Sequence, residues 1–298
     1  MLKILHRIFI NMLILVFCNT AILSGINTQL ISESNLNVSF NGKFVYQPYD
    51  KKSKANSKNG RYWCQYDIGK VSDEYRELLN FKFYEKDQLL FTLDKAPGSD
   101  LYISNAGFIA FLDHSYHFKQ ELNIHFYSKD GSLLFTRNFK GASLFGFSDE
   151  GNYFGVGTGN NLFVLSLRDQ QIERFDSCDQ FDISESGKFV VTARGKELKI
   201  YSEGKLEKQI DTQFMYPRGI KVSKKFNIIA VIDKKNLKVY SLSNARLNFT
   251  KALKGKNSFR DLFLKSDEIL TGVHYRNDGM SKGSLQVYDL KGNLLQNK

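Results

Sequence analysis

The sequence predicts an all-β fold built from a repeated unit of four strands. Three observations predict it: a composition typical of sheets, a short turn motif that recurs, and an alternating strand motif that follows each turn. The chain of 298 residues contains 25 Phe and 15 Tyr, and aromatic residues are enriched in strands. Three prolines and a hydrophobic fraction of 42% exclude a disordered or collagen-like chain.

The turn motif is a serine, two loop residues, a glycine and then a run of β-forming residues. Its clear copies begin at Ser57, Ser104, Ser148 and Ser184, and weaker copies begin at Ser223 and Ser266. Consecutive serines are 36 to 47 residues apart. This spacing is typical of a repeat that contributes one four-stranded sheet.

The strand motif alternates apolar and polar residues and follows each turn motif. Its copies are Phe81–Glu85, Ile124–Ser128, Leu162–Ser166, Leu198–Ser202, Leu237–Ser241 and Leu285–Asp289. A period of two places alternate side chains on opposite faces of a sheet. Glycines soon after the motif, at Gly131, Gly204 and Gly292, favour tight hairpins. Each unit therefore predicts strand A ending at the serine, strand B after the glycine, strand C with the alternating motif, and strand D.

A four-stranded sheet of this kind cannot bury both faces alone, so neighbouring sheets must stack around an axis, as in β-propellers. The segment Ser184–Phe189 resembles the A–B turn of WD40-like and YVTN-like propellers. Leu237–Ser241 resembles their strand C, with Tyr where WD40 repeats carry Trp. The resemblance spans residues 36–298 and implies one propeller domain. It implies no single function, because propellers serve binding, scaffolding and catalysis alike.

The repeat predicts six blades, with seven as the alternative. Leu36–Tyr46 resembles strands C and D of a further unit. It could instead supply strand A of the first blade, and Pro48–Lys58 would then be a loop.

Residues 1–25 are expected to be a signal peptide or membrane anchor, followed by a short linker at residues 26–35. Lys3 and Arg7 precede the apolar run Ile8–Phe17, the order found in secretory signals. Two variants stay open: retention as an anchor, or lipidation at Cys18, because Leu15–Cys18 resembles a bacterial lipoprotein box. The sequence therefore predicts export to a periplasmic, extracellular or envelope-anchored location.

The formal net charge of +11 is compatible with an acidic partner, but the cations are spread along the chain. No block of five like charges occurs, so the pattern does not favour nucleic acid. Membrane contact is expected only through the N-terminal segment.

No catalytic residue, metal or cofactor is predicted, because no nucleophile elbow, zinc-protease helix or phosphate-binding loop occurs. Gly155–Gly159 is interpreted as a B–C turn. The predicted A strands are mostly apolar, and only Asp182 and Lys221 offer chemistry near the axis.

Long B–C connections are the candidate binding surface. They are expected at Asp67–Leu79, with a short helix near Ser72–Tyr75, at His114–Glu121 and at Tyr275–Gly283. Blades six, one and two are neighbours in a ring, so these loops would form one crescent on a rigid scaffold. The candidate binding residues are Tyr75, Arg76, His114, Tyr116, His117, His274, Tyr275 and Arg276.

The predicted function is therefore an exported, non-catalytic propeller that binds a protein or glycan partner through this crescent. Two alternatives remain at this stage. One is a hydrolase or lactonase-like enzyme with its site at the central channel, and the other is a scaffold subunit of an envelope complex.

The two cysteines of the propeller region are expected to be free. Cys64 lies in unit one and Cys178 at the entry to unit four, which face each other in a six-bladed ring. A disulfide needs Cα atoms about 4.4–6.8 Å apart. Cys178 is expected to be the more accessible thiol.

Export is tested by fusing residues 1–30 to a reporter enzyme that is active only outside the cytoplasm. We expect reporter activity, because a basic flank and an apolar run direct secretion. The fusion with Lys3→Glu and Arg7→Glu should be exported less efficiently. Retention of the unaltered fusion in the cytoplasm would contradict the signal.

Overall fold

The computed structural model of the protein describes residues 52–70, 76–114, 121–176, 178–214, 216–265, 267–277 and 280–297. Every regular element in these ranges is a β-strand. No helix long and apolar enough to cross a membrane occurs in this part of the chain.

The strands fall into sheets of four, here called blades one to six. Blades one to three contain β1 (Lys52–Asn56), β2 (Tyr62–Lys70), β3 (Arg76–Glu85), β4 (Gln88–Lys95), β5 (Asp100–Ile103), β6 (Ile109–Asp113), β7 (Glu121–Tyr127), β8 (Leu133–Lys140), β9 (Ala142–Phe147), β10 (Tyr153–Thr158), β11 (Asn161–Ser166) and β12 (Ile172–Asp176). Blades four to six contain β13 (Gln180–Ile183), β14 (Phe189–Arg194), β15 (Glu197–Ser202), β16 (Lys205–Asp211), β17 (Gly219–Ser223), β18 (Ile228–Ile232), β19 (Asn236–Ser241), β20 (Leu247–Ala252), β21 (Ser258–Lys265), β22 (Glu268–Asn277), β23 (Met280–Asp289) and β24 (Leu294–Asn297).

Each blade is an antiparallel meander of four consecutive strands, which are its strands A to D. The A strands of successive blades contact one another from β1 through to β21, so they lie nearest the common axis. The expected six four-stranded sheets are confirmed. The described residues contain no seventh sheet, and Leu36–Tyr46 lies outside them.

Strand A of blade one is β1, which ends directly before Ser57, as the repeat predicts. The alternative in which Leu36–Tyr46 supplies this strand and Pro48–Lys58 is a loop was wrong. Ser53 and Ala55 are buried while Lys54 is exposed, and Ala55 pairs with Cys64 of β2. Lysine at alternate positions hides this short strand from a search for apolar residues.

The serine of the turn motif holds strand B to the end of strand A. Its hydroxyl accepts a hydrogen bond from the first residues of strand B, at 3.0 Å from Tyr62 N in blade one and 3.0 Å from Phe189 N in blade four. The motif glycine donates to the serine carbonyl, at 2.9 Å for Gly60 and for Gly187. Both glycines have positive φ, at 70° and 75°, which side chains with a Cβ rarely adopt.

Blade five shows why its motif is a weak copy. The residue with positive φ is Asn227, at 54°, one position later than the glycine of the other turns. Asn tolerates this left-handed region better than most residues. The turn therefore closes without glycine, and Phe226 occupies the motif position.

Hydrophobic clusters join successive blades. Phe81 of blade one packs edge to face on Phe111 of blade two, with ring centroids 5.1 Å apart. Phe126 of blade two meets Phe154 of blade three at 5.3 Å. Such pairs add about 0.5–1.5 kcal/mol each beyond burial. Aliphatic residues replace the aromatic pairs toward blade five, where all five residues of β18 are buried.

Gly155 and Gly157 lie within β10, so interpreting Gly155–Gly159 as one turn was wrong. Only Gly159 and Asn160 separate β10 from β11. The Phe181 ring of blade four lies against Gly155, where an added Cβ would be 2.2 Å from Cε2. Glycine is therefore required by the neighbouring blade and not by a turn.

The outer rim carries an equivalent exposed aliphatic residue in every blade, directly opposite the last aromatic or leucine of strand C. These residues are Leu89, Leu133, Ile172, Leu206, Leu247 and Leu294, and each is 42% to 52% exposed. A register shift lies beside this pair in every blade except blade three. Bulges of this kind discourage pairing of edge strands with other chains.

Cys64 and Cys178 are both free and both buried, as predicted. Cys178 is 8% exposed and Cys64 is fully buried, which confirms their expected order of accessibility. Burial raises the pKa of the Cys178 thiol to about 12, with a smaller contribution from Asp179.

Alanine substitution at two motif glycines separates backbone strain from blade packing. Gly60→Ala should cost about 1–2 kcal/mol, because only the left-handed backbone is strained and no atom lies within 4 Å of the new Cβ. Gly187→Ala should cost a further ~1–3 kcal/mol, because its Cβ would lie 2.0 Å from the Tyr153 ring. Urea unfolding measures both, and equal losses would contradict the blade packing.

Candidate functional site

The meander order gives the ring two different ends. The A–B and C–D turns lie at one end, here called the A–B end. The B–C turns and the D–A connections between blades lie at the other, here called the B–C end. Each candidate residue can therefore be assigned to an end from its position in the blade.

At the B–C end, the hairpins of blades one and six are longer than those of blades three to five. Strand C begins eight residues before its tyrosine in two blades. In blade one it runs from Arg76 to Tyr84, and in blade six from Met280 to Tyr288. In blade four β15 begins only four residues before Tyr201. At about 3.3 Å per residue, the long hairpins extend roughly 13 Å further than that of blade four.

The expectation of irregular loops at Asp67–Leu79 and Tyr275–Gly283 was therefore wrong for most of their length. In blade one, pairing continues to Lys70 opposite Arg76. In blade six it continues to Asn277 opposite Met280. Leu78 is 1% exposed, and its carbonyl accepts a hydrogen bond from Ala96 N at 2.8 Å. Most of both segments therefore consists of paired antiparallel strands. The extended hairpins of blades one and six are here called the ribbons.

The predicted binding residues are divided between described and undescribed segments. Three of them, and the expected helix near Ser72–Tyr75, lie outside the described residues: Tyr75, Tyr116 and His117. Arg76 begins β3, and His114 directly follows β6. His274, Tyr275 and Arg276 all lie in the distal half of β22. The structure therefore places Arg76 on one ribbon and the blade-six residues on the other, and their binding role stays a prediction.

At the A–B end, the residues that follow four of the motif serines, those of blades one to four, bond to other blades. Asn105 of blade two accepts a hydrogen bond from Asn59 N at 2.8 Å and donates to Asp149 O at 2.6 Å. Lys58 of blade one reaches Asp149 of blade three, with Nζ 2.5 Å from Oδ1. Glu185 of blade four accepts from Lys224 N at 3.0 Å and also from the Ser223 hydroxyl.

A buried ion pair joins blades four and five beside these turns. Lys221 Nζ lies 2.6 Å from Asp182 Oδ1, and Val222 N donates to Asp182 Oδ2 at 2.8 Å. Asp182 is 5% exposed and Lys221 is 8% exposed. The two residues that offered chemistry on the predicted A strands are therefore partners of each other.

The charges of four residues act on one another across the axis. Burial raises the pKa of Asp182 against the opposing charge of Lys221. Burial also acts to raise the pKa of Asp149, but the charges of Lys58 and Lys221 outweigh it and the pKa is lowered. Burial acts to lower the pKa of Lys221, but the charges of Asp182 and Asp149 outweigh it and the pKa is raised. The charged forms of Asp149 and Lys221 are therefore favoured by their neighbours, whereas burial opposes the charged form of Asp182.

A cavity of about 110 Å³ lies among these four residues, and Asn105 and Gln180 also line it. Two cations face two carboxylates, so the cluster is neutral as a whole. Each carboxylate has a lysine partner, and the described residues that line the cavity include no histidine. No group of three metal-ligating residues occurs in the described part of the chain. What the cluster can do chemically is join blades one, three, four and five through charge.

The network residues Lys58, Asn105, Asp149 and Glu185 were not identified from the sequence. The available signal was positional, because each follows the motif serine directly and each is polar. The serine and the glycine define the turn motif, and the two residues between them have the composition of an ordinary loop.

Comparison with known proteins bears on the fold. No protein-family model matches the sequence, and no curated protein matches it in sequence. Among solved structures, Hsv2 from Kluyveromyces marxianus matches with a TM-score of 0.58 at 10% identity, over 80% of this chain and 75% of its own. The Cps50 (Swd1) β-propeller domain from Myceliophteria thermophila matches with a TM-score of 0.57 at 8% identity, over 90% and 88%.

The chain is a β-propeller. The fold-level resemblance to WD40-like propellers is confirmed by these structures and by the six four-stranded blades. Hsv2 from Kluyveromyces lactis agrees, with a TM-score of 0.57 at 10% identity over 80% of this chain and 73% of its own. Identity this low shows the propeller fold alone.

Removing one partner of the buried ion pair should destabilise the propeller in a pH-dependent way. Lys221→Met leaves the Asp182 carboxylate without its nearest cation, at a cost of about 3–5 kcal/mol near pH 8. The folded-state pKa of Asp182 then rises further above the unfolded value of about 3.9. The folded state binds the proton first as pH falls, so the loss should shrink toward about pH 4–5.

The control is the double variant Asp182→Asn/Lys221→Met, which removes both charges and retains an acceptor for Val222 N. Its loss of stability should be smaller and nearly independent of pH. Urea unfolding across the pH range measures both variants. A loss for Lys221→Met that stays constant with pH would contradict the pairing.

Proposed function

We propose that this propeller is an exported, non-catalytic binding protein that recognises a partner protein at its B–C end. The observation that carries the proposal is the pair of ribbons on blades one and six, which extend beyond the hairpins of blades three to five. Loops and hairpins raised on a rigid scaffold are common sites of recognition.

The position of the ribbons supports one shared surface. In a closed six-bladed ring, blades six and one are neighbours, so both ribbons rise from adjacent sectors of the same end. Their described tips carry charged and polar residues, including Lys70 and Arg76 on one ribbon and Arg276 and Asn277 on the other. Arginine and tyrosine are enriched at protein interfaces, and Tyr275 is in the same ribbon.

The chemistry of the channel favours binding over catalysis. The carboxylates nearest the axis, Asp149 and Asp182, are engaged by Lys58 and Lys221. A general base needs a carboxylate or imidazole that can reach a substrate proton. The hydrolase or lactonase-like alternative has no such group in the described lining of this cavity.

Export remains part of the proposal through residues 1–25. The two free, buried thiols suit either redox compartment, because neither depends on a disulfide. The scaffold role in an envelope complex is one form of protein binding, and it would use the same surface at the B–C end.

Shortening both ribbons tests the binding surface. Residues 69–77 are replaced by Asn-Gly, which closes the hairpin at Ile68 opposite Leu78 and keeps buried Leu78. Residues 276–281 are replaced by Asn-Gly, which closes the hairpin at Tyr275 opposite Lys282. Asn-Gly suits a two-residue hairpin. Partners captured by cross-linking from the native host should fall at least about tenfold, a loss typical of removed interface anchors.

The control places the same turn in a short hairpin, as Gly159→Asn/Asn160→Gly in blade three. It should leave partner capture unchanged, and calorimetry should show similar melting temperatures for all variants. Undiminished capture by the shortened variant would contradict the proposed surface. Recovery of a glycan instead of a protein would contradict the partner class.

A further inference from the structure

A rigid platform at the B–C end is formed by three connections around blade five. Here it is called the blade-five platform, and it consists of residues 212–218 without 215, residues 233–236 and residues 253–260. Backbone hydrogen bonds join them: Arg218 N to Ile232 O at 2.8 Å, Leu253 N to Lys235 O at 2.8 Å, and Phe259 N to Lys234 O at 3.0 Å. The platform is therefore held by its backbone, independently of its outward side chains.

Two lysines of this region strengthen the platform from within. Lys235 Nζ donates to Gly255 O and to Asn257 O, both at 2.6 Å. Lys238 Nζ donates to Thr212 O at 2.7 Å and lies 4.9 Å from the centroid of the Phe214 ring. Their charges sit beneath the surface connections and add to the positive potential there.

Five further cations project from the platform into solvent. All are exposed: Arg218, Lys234, Lys254, Lys256 and Arg260. Among the described residues none of them has a carboxylate within ion-pair distance, since the ion pairs recorded there involve other lysines and arginines. The Arg218 guanidinium contacts only a carbonyl, Phe259 O, at 3.5 Å.

The acidic residues nearby do not neutralise this surface. Asp233 turns its carboxylate inward, where Oδ1 accepts from Lys235 N and Asn236 N at 2.6 Å each. Burial raises the pKa of Asp261 to about 6, opposed by the charge of Arg260. Asp233 and Asp261 are half-buried, and the exposed Asp211 directly before the platform accepts a hydrogen bond from Gln213 N at 2.8 Å.

The excess of exposed positive charge is a local property of the platform, as a comparison with the opposite end of the propeller shows. Outside blade five, exposed cations of the C–D turns at the A–B end have an acidic neighbour in or next to the same turn, as with Lys86 and Asp87 or Lys129 and Asp130. Arg61 is paired with Glu85, and Lys188 lies 2.8 Å from Glu203. Mixed charges of this kind are typical of an ordinary solvated surface.

One aromatic residue accompanies the cations. Tyr216 is 74% exposed and lies two residues from Arg218 on the same connection. Tyrosine and arginine are the residues most often found at the energetic centre of protein interfaces. Sequence-independent nucleic-acid sites usually present several stacking aromatics along a basic groove, whereas the described platform exposes this single ring.

We propose that the blade-five platform binds an acidic segment of the partner protein. The inference rests on the proposed function and adds the chemistry of the partner: clustered Asp and Glu side chains, accepted by Arg218, Lys234, Lys254, Lys256 and Arg260. The cations stand on a hydrogen-bonded backbone, so few groups need ordering on binding. Charge complementarity of this kind speeds encounter and selects the partner.

Fluorescence anisotropy of the full chain with a labelled Glu-rich peptide tests the proposal, with a Gln-rich peptide of equal length as its neutral match. The wild type should bind the Glu-rich peptide and not the Gln-rich one, and affinity should fall as salt rises. Lys254→Gln/Lys256→Gln/Arg260→Gln should weaken binding at least about tenfold, as expected for removing several charge-assisted contacts.

The matched control removes three charges from the opposite end, as Lys86→Gln/Lys129→Gln/Lys291→Gln, and should change the Kd by less than about twofold, because screening limits long-range effects. If both triple variants weaken peptide binding equally, the effect comes from net charge, and the proposed binding by the platform is overturned. Tighter binding of a single-stranded DNA probe, lost in the platform variant, would also overturn it.

The ribbon-shortened variant separates this inference from the proposed function. It retains the platform cations and should bind the Glu-rich peptide as the wild type does. If the shortened variant still binds the peptide and still captures the partner as the wild type does, the ribbon surface alone is contradicted. Absence of peptide binding by the wild type would contradict the platform alone.

Discussion

The hydrogen bond from strand B to the motif serine is the interaction on which blades one to five depend. It fixes the turn between the innermost two strands, and the left-handed residue that follows lets the chain reverse within a few positions. In blades one to four, the residue after the serine is thereby held where it bonds to another blade. A small local device, repeated, places Lys58, Asn105 and Asp149 within reach of one another.

Burial then distinguishes the two ends of the molecule. The middle strands are covered on both faces by neighbouring blades, as β18 shows with five buried residues. Near the axis at the A–B end, charged residues pair with one another, and the most buried pair is Asp182 with Lys221. At the B–C end the cations point outward on hydrogen-bonded connections, and two ribbons rise from the rim. Recognition is therefore expected at the B–C end, where the exposed cations of the blade-five platform lack acidic partners among the described residues and two hairpins are longer than those of blades three to five.

Much of the architecture could be predicted because the repeat is local. Serine, glycine and the alternating strand C motif encode turns and faces within a few residues, so the six units and their strand order are readable. The alternative that made β1 a loop arose because lysines alternate along this strand, and Gly155 was wrongly assigned to a turn because the ring that requires glycine there, Phe181, belongs to the next blade. Sequence patterns report nearest neighbours well and report contacts between blades poorly.

The candidate site shows the same division. Asp182 and Lys221 were identified as the chemical groups of the A strands, but their pairing depends on blades four and five being adjacent. The ribbons were identified as long connections, while their regular pairing follows from Leu78 and its cross-strand contacts. The platform cations, in contrast, are scattered over three connections, and no window of sequence brings them together.

Lysine cross-linking with mass spectrometry in the native host tests most directly whether the B–C end is the recognition surface. Exposed lysines are available at both ends, with Lys95, Lys140, Lys234 and Lys254 at the B–C end and Lys86, Lys129, Lys205 and Lys291 at the A–B end. Partner links should be concentrated on the first set. Links concentrated on the second set would contradict the account.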